Sequence, residues 1–233
     1  MASHTIAVFG ATGPTGIAFV RQALEAGHSI VALARSKSKL LGLLAPAVEE
    51  TDSRINIIEG DALKREDIDR VFEDTRIDRV MITLGTHPSA AEPQLSICSI
   101  GTEHIIASLK KTLADTKSSH PDRKIRTITV TSLGVGDSIK HLGPLTYLFV
   151  TTFLRRAIAD KNKQEDIIVK NASAELEYII CRPGGLRDKP KTGIYRAADF
   201  TAGGMITRGD VADFCVKSLD DSTWLNKTPC LFQ

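Results

Sequence analysis

Short apolar runs alternate along this chain with longer stretches whose apolar residues recur every three or four positions. The runs TIAVFG, HSIVALAR, RINIIEGD, IDRVMITLG and IRTITVTS read as five successive strands. A sixth, LEYIICRPGG, ends in a Pro-Gly-Gly turn. Between them TGIAFVRQALEAG, SKSKLLGLL, REDIDRVFED and QLSICSIGTEHIIASLKKTLAD carry helical spacing. Gly27 stands where the first helix would take its C-terminal cap, and Gly101 is tolerated inside the fourth.

Strands that stay apolar at successive positions need cover on both faces, which strand–helix alternation supplies. The expected fold class is therefore α/β, a Rossmann-type doubly wound parallel sheet. After Ser132 the rhythm changes. LGVGDSIKHLGP is loop-like, and LTYLFVTTFLRRAIADKNKQEDIIVKNA reads as one long, partly apolar helical pattern. The remainder is mixed, with TRGDVADFCVKSL as a last helix. The expectation is a single domain over 1–233, its segment from about 134 to 233 forming a small C-terminal substrate lobe.

Composition narrows the function classes. A net charge of +2 gives no basic field for nucleic acid or a membrane surface. No apolar run reaches the roughly 18 residues of a membrane span, so neither partner is expected. The first strand pattern begins at the fifth residue, leaving no room for a targeting peptide, and a cytoplasmic location follows as the expectation. Cys98, Cys181, Cys215 and Cys230 lie in apolar settings without CxxC spacing and read as core thiols. The histidines show no ligand spacing, so no metal is expected.

The chemistry concentrates in VFGATGPTGIAFV. Gly10, Gly13 and Gly16 follow a strand and open a helix, the context in which a backbone turn cradles a diphosphate. The spacing is G-x-x-G-x-x-G, and GATGPTG resembles the glycine motif of the atypical and extended short-chain dehydrogenase/reductases. DKNKQE, YIICRPGGLRDKPKTGIYR and ITRGDVADF look like landmarks of their NAD(P)H-binding, NmrA-like branch, and flavin reductase (biliverdin reductase B) is similar in layout. The resemblance spans almost the whole chain. It implies a nucleotide-binding oxidoreductase fold, with Gly10, Thr12, Gly13, Pro14, Thr15 and Gly16 around the cofactor.

An NAD site places an acid at the end of the second strand. Here Arg35 stands there, with Ser36, Lys37 and Lys39 behind it, and a guanidinium fork suits a 2′-phosphate. NADP(H) is the expected cofactor. The resemblance places Asp61 and Ala62 beside the adenine, although Asp61 could equally cap the following helix. Leu84, Gly85 and Thr86 end the fourth strand, where such folds pass the ribose.

Ser132 falls where the family carries its catalytic hydroxyl, and Lys161 matches the helical lysine that holds the ribose. A competing reading pairs Lys161 with Glu165 on the helix surface. Ala157 occupies the place of the family's proton-donating tyrosine, which puts standard ketone reduction in doubt. Tyr147 is the nearest substitute, or else an apolar wall residue. Pro183 and Gly184 would bring a kinked backbone beside the nicotinamide. Arg208 and Asp210 read as structural, Asp210 capping the last helix.

Three functions stay open. The first is an oxidoreductase passing hydride to a small apolar or aromatic acceptor (flavin, quinone, enone or imine), with LTYLFVTTFL as the pocket wall. The second is a non-redox isomerase, cyclase or condensing enzyme, of the kind used in natural-product biosynthesis. It would retain NADP(H), and Ser132, Tyr147, Asp137 or His141 would do acid–base work. The third is an NmrA-like sensor that binds the dinucleotide without turnover. All three take a small molecule as ligand, on a monomer or homodimer.

Overall fold

The computed structural model describes residues 2–46, 52–73, 76–86 and 90–233. Among them, eight strands form one sheet in the order β3-β2-β1-β4-β5-β6-β10-β8. These are β1 (Thr5–Phe9), β2 (Ser29–Ala34), β3 (Ile55–Glu59), β4 (Arg79–Ile82), β5 (Ile125–Val130), β6 (Leu176–Pro183), β8 (Arg196–Ala198) and β10 (Cys230–Phe232). Pairing is parallel throughout except at the edge, where β8 runs antiparallel to β10. A two-stranded parallel ribbon, β7 (Gly185–Arg187) with β9 (Met205–Thr207), sits outside this sheet. The strand order reverses between β1 and β4, and a crevice opens there beyond the carboxyl ends of the strands.

The apolar strand runs are explained by two cores, one on each face. Ile6 and Val8 of β1 point into a cluster with Phe19, Leu40, Val211 and Phe214. Ala7 and Phe9 point the other way, into a cluster with Ile68, Ile82, Ile105 and Leu109. The first face is covered by α1 (Pro14–Glu25), α2 (Lys37–Leu44) and α7 (Arg208–Lys217). The second is covered by α3 (Arg65–Val71) and α4 (Ile97–Thr116), and α6 (Arg155–Asn171) packs against α4. All four cysteines are buried free thiols, and the sulfurs of Cys181 and Cys215 lie 3.8 Å apart. No helix among the described residues is long and apolar enough to cross a membrane.

One segment departs from its sequence pattern. The stretch read as a single long helix is two, α5 (Pro144–Phe153) and α6, hinged at Leu154 with φ −104° and ψ 5°. No glycine or proline marks the hinge. Val150 and Ile158 share a small core with Val135, against which Leu154 packs, so one apolar stripe runs across the bend. The break changes direction without interrupting the periodicity.

At the amino ends of the strands, His4 is held between two carboxylates, Nδ1 2.6 Å from Asp78 and Nε2 2.7 Å from Asp220. His28 stacks on it at 5.4 Å and accepts the His4 backbone N–H on its Nδ1 at 3.2 Å. That bond puts the His28 proton on Nε2, which is buried without a partner among the described residues. Burial, and then the neighbouring His4, push the His28 pKa below its usual 6.5, against the opposing pull of Asp220 and Asp78. A depressed histidine pKa means that the unfolded chain takes up the proton first, so this stability is full above 6.5 and is lost as pH falls below it. Urea unfolding should therefore show the protein less stable at pH 5 than at pH 7. His28→Asn, which keeps an acceptor for the His4 amide, should flatten that difference.

Candidate functional site

The crevice at the reversal of strand order is a groove of about 460 Å³. Its floor is the turn from β1 into α1. Gly10 has φ +90°, and a methyl group there would lie 2.6 Å from the Thr83 carbonyl oxygen. Thr83 seals this approach, its hydroxyl donating to the carbonyls of Phe9 and Gly10, both at 3.1 Å. A side chain at Gly16 would overlap the Gly10 carbonyl, so α1 can begin this close to β1 only with glycine there. Gly13 differs, since nothing but the Gly10 oxygen, at 3.4 Å, approaches its missing Cβ.

Helix α1 starts on Pro14, and no side chain among the described residues caps it. The amides of its first turn lack intrahelical acceptors and, with the positive end of the helix dipole, favour an anion in the groove. An uncapped amino terminus beneath a turn that excludes side chains fits a dinucleotide diphosphate. Thr12, Gly13, Pro14 and Thr15 all line the groove there.

Both walls come from strand ends. At the β2 end Arg35 lines the groove, exposed, while Lys39 does not and offers only its backbone amide to Ser36 at 3.2 Å. At the β3 end Asp61 and Ala62 line it. Asp61 accepts the Leu63 amide at 3.0 Å in a tight turn, and its own amide donates to Asp67 at 2.8 Å. It does not cap α3, which begins after Lys64 without a side-chain cap. At the β4 end Leu84, Gly85 and Thr86 face the groove.

Lys161 of α6 enters from the far side. Its ammonium donates to the carbonyls of Val130 at 3.2 Å and Leu84 at 3.4 Å, bridging the ends of β5 and β4. The surface pairing with Glu165 does not form, because Glu165 is engaged elsewhere. Its carboxylate takes Arg182 Nη2 at 2.6 Å and Nε at 3.1 Å, and the Thr131 hydroxyl at 2.6 Å. Arg182 reaches on to Asp137, whose carboxyl this contact holds below the usual carboxylate range. Glu165 and Arg182 are both almost wholly buried. Breaking such a pair costs about 3–5 kcal/mol, because one charge is left without compensation.

This network pins together the residues that border a second groove of about 440 Å³. Thr131 faces the first groove and Ser132 the second; Leu186 faces the first and Gly185 the second. The two therefore meet at the ends of β5 and β7. The second groove is apolar, walled by Leu145, Phe149, Val150 and Leu154 of the α5 segment and by Met205. Ser132 supplies a hydroxyl at its mouth, donating to the Leu133 carbonyl at 3.1 Å.

Gly184 lies on this groove as well, and what demands glycine there is the Gly204 carbonyl packed against it. Pro183 is buried in β6, its carbonyl taking the Leu133 amide at 2.8 Å. Tyr147 is half-exposed on the outer side of α5 and lines neither groove. Asp137 is spent on Arg182, and His141 stacks on Phe200 at 4.4 Å.

Two features differ from the sequence reading. Arg208, read as structural, lines the first groove beside Leu186. Asp210 does not cap α7 by itself. Thr207 is the cap, taking the Asp210 amide at 3.0 Å and donating its hydroxyl back to the carboxylate at 2.6 Å. The Thr207–Asp210 spacing is a capping signal visible in the sequence.

Comparison with known proteins agrees with this geometry. Residues 10–222 match the model of the NAD(P)H-binding family. A provisionally assigned NAD-dependent epimerase/dehydratase from Bacillus halodurans superposes with a TM-score of 0.76 at 22% identity, over 99% of this chain and 94% of that one. An anaerobilin reductase from Escherichia coli O157:H7 gives 0.73 at 22% identity, over 98% and 96%. At such identities the likeness is one of fold. The chloroplast protein High Chlorophyll Fluorescence Phenotype 173 of Arabidopsis thaliana is 39% identical over 80 residues, which is 30% of this chain but only 13% of that protein.

Gly13 and Gly16 separate binding from folding. Gly13→Trp should abolish fluorescence-detected dinucleotide binding at a stability cost near that of a lost helix cap, about 1 kcal/mol. Gly16→Val should lower stability by about 1–3 kcal/mol through overpacking, as read by thermal melting.

Proposed function

The chain belongs to the NAD(P)H-binding family, and from that premise we propose that it is an NADP(H)-dependent oxidoreductase passing hydride to a small apolar or aromatic acceptor. The observation that carries this reading is the junction of the two grooves at Thr131–Ser132 and Gly185–Leu186. One groove has the uncapped helix and strand-end residues suited to a dinucleotide. The other is apolar and opens directly beside it.

In this assignment Gly10, Thr12, Gly13, Pro14, Thr15 and Gly16 form the turn around the diphosphate, with the first-turn amides of Thr15 and Gly16 donating to it and Pro14, which has no N–H, fixing the start of α1. Arg35 takes the 2′-phosphate as a bidentate donor, with Lys39 adding a second positive charge nearby. Asp61 and Ala62 border the adenine. Leu84, Gly85 and Thr86 pass the ribose, and Lys161 donates to its hydroxyls. Pro183 and Gly184 carry the backbone that flanks the ring, and Ser132 orients the acceptor from the groove mouth.

Reduced nicotinamide supplies a hydride. The chain offers no tyrosine at Ala157, so an acceptor with its own conjugated electron sink fits best. The single proton that completes the reduction then comes from solvent, for which the groove is open. Acid–base work by Asp137 in a non-redox reaction is less well supported, because its carboxyl is held ionised by Arg182.

The test is loss of reduced-nicotinamide absorbance when the protein meets NADPH with a panel of flavins, quinones, enones and imines. Turnover with an acceptor is the expected result, and tight NADPH binding without turnover across the panel would sink the reductase reading. Arg35→Ala should weaken NADPH binding roughly 10–100-fold, the scale of hydrogen bonds to a charged group, and leave NADH binding nearly unchanged.

A further inference from the structure

Arg208 is the first residue of α7, and its side chain lines the dinucleotide groove. It is one-quarter exposed, and its Nη1 donates to Asp188 at 2.5 Å. Asp188 is 79% exposed, on the segment that follows β7. A pair with one member so open to water is screened, and such pairs contribute little. Neighbouring polar groups are committed more firmly. Asp210, fully buried, accepts the amides of Thr192 and Gly193 at 3.0 and 2.7 Å and so fixes the loop just beyond.

The position of Arg208 identifies the part of the ligand it faces. Helix α7 packs along α1, and Gln22 of α1 donates to the Gly209 carbonyl at 3.0 Å. Arg208 therefore enters the groove from the α1 side. It arrives beside Leu186 of β7, at the junction with the apolar groove. Arg35 enters at the end of β2, two strands away from β4 in the sheet order, where the dinucleotide reading above puts the adenosine end. The two arginines thus line the same groove from different elements, Arg35 at the end of β2 and Arg208 at the start of α7.

Resting on the dinucleotide reading above, we propose that Arg208 is a cation for the cofactor's diphosphate, exchanging its ion pair with Asp188 for one with the phosphates. A diphosphate brings two charges against one, and it sits in a partly enclosed groove where a charge-assisted bond is stronger than at the surface. Asp188 acts as a competitor that sets how tightly the dinucleotide is held. Arg35 then reads the 2′-phosphate, and Arg208 serves any dinucleotide.

The experiment titrates the full chain and its variants with NADPH, ADP-ribose and adenosine 2′-monophosphate, the last of which lacks a diphosphate. Arg208→Gln should weaken NADPH and ADP-ribose roughly 10–100-fold and leave the 2′-monophosphate within about twofold. Arg208→Lys should recover part of the loss. Asp188→Asn should tighten NADPH and ADP-ribose by up to about fivefold, the scale of an exposed ion pair.

Equal weakening of all three ligands by Arg208→Gln would mean a structural effect and overturn the proposal. Unchanged affinity for ADP-ribose would do the same. If Arg208→Gln melts too low to titrate, Asp188→Asn decides alone, and unchanged or weaker diphosphate binding there refutes the exchange. A wild-type protein that binds none of the three overturns the dinucleotide reading and this inference with it. Wild-type binding that ignores both variants overturns only this inference.

Discussion

Everything at the groove depends on how closely two backbone segments approach where β1 becomes α1. Gly16 lies so near the Gly10 carbonyl that no side chain fits between them, and Gly10 in turn lies against the Thr83 backbone. This contact does three things at once. It turns the chain within a few residues, it aims the uncapped end of α1 into the crevice, and it ties the crevice to the end of β4 through the Thr83 hydroxyl. An anion site built from amides needs such rigidity, since donors that had to be gathered on binding would lose entropy in the process.

The other half of the site is held by charge. Glu165 and Arg182 are buried together and connect α6, β6, the end of β5 through Thr131, and the loop bearing Asp137. Hydrophobic residues of similar volume could pack there with comparable stability. A guanidinium fork, however, fixes relative positions in a way that apolar contact does not. Lys161 stands one helical turn before Glu165, and Ser132 directly follows Thr131, so both inherit their positions from this pair. Two very different interactions, one of close backbone packing and one of buried ions, thus fix the two sides of a single crevice.

What the sequence disclosed follows from distance along the chain. The strands and the glycine turn were legible because their signals are local: both-face burial makes IAVF apolar throughout, and the turn's glycines lie within seven residues. Arg35 was legible as an absence of acid at a known strand end. Arg208, Thr131 and the Glu165–Arg182 pair were not, because their partners are brought together by sheet order from separations of 17 to 45 residues. The hinge at Leu154 was hidden for another reason, its apolar stripe being continuous across the bend. Asp61 and Asp210 show that a helix-start signal locates a turn more surely than it names the capping atom.

That hinge divides the chain's freedom to vary. On its carboxyl side, α6 is bound into the core by Ile158, Ile168 and the buried Glu165. On its amino side, Leu145, Leu148, Phe149 and Phe153 of α5 stand largely in solvent and contribute little to folding. Replacing those four side chains leaves the contacts that hold the crevice in place, while replacing Ile158 or Glu165 breaks them. One framework can thus give rise to lineages that differ in what they admit to the apolar groove and agree in how they hold a nucleotide.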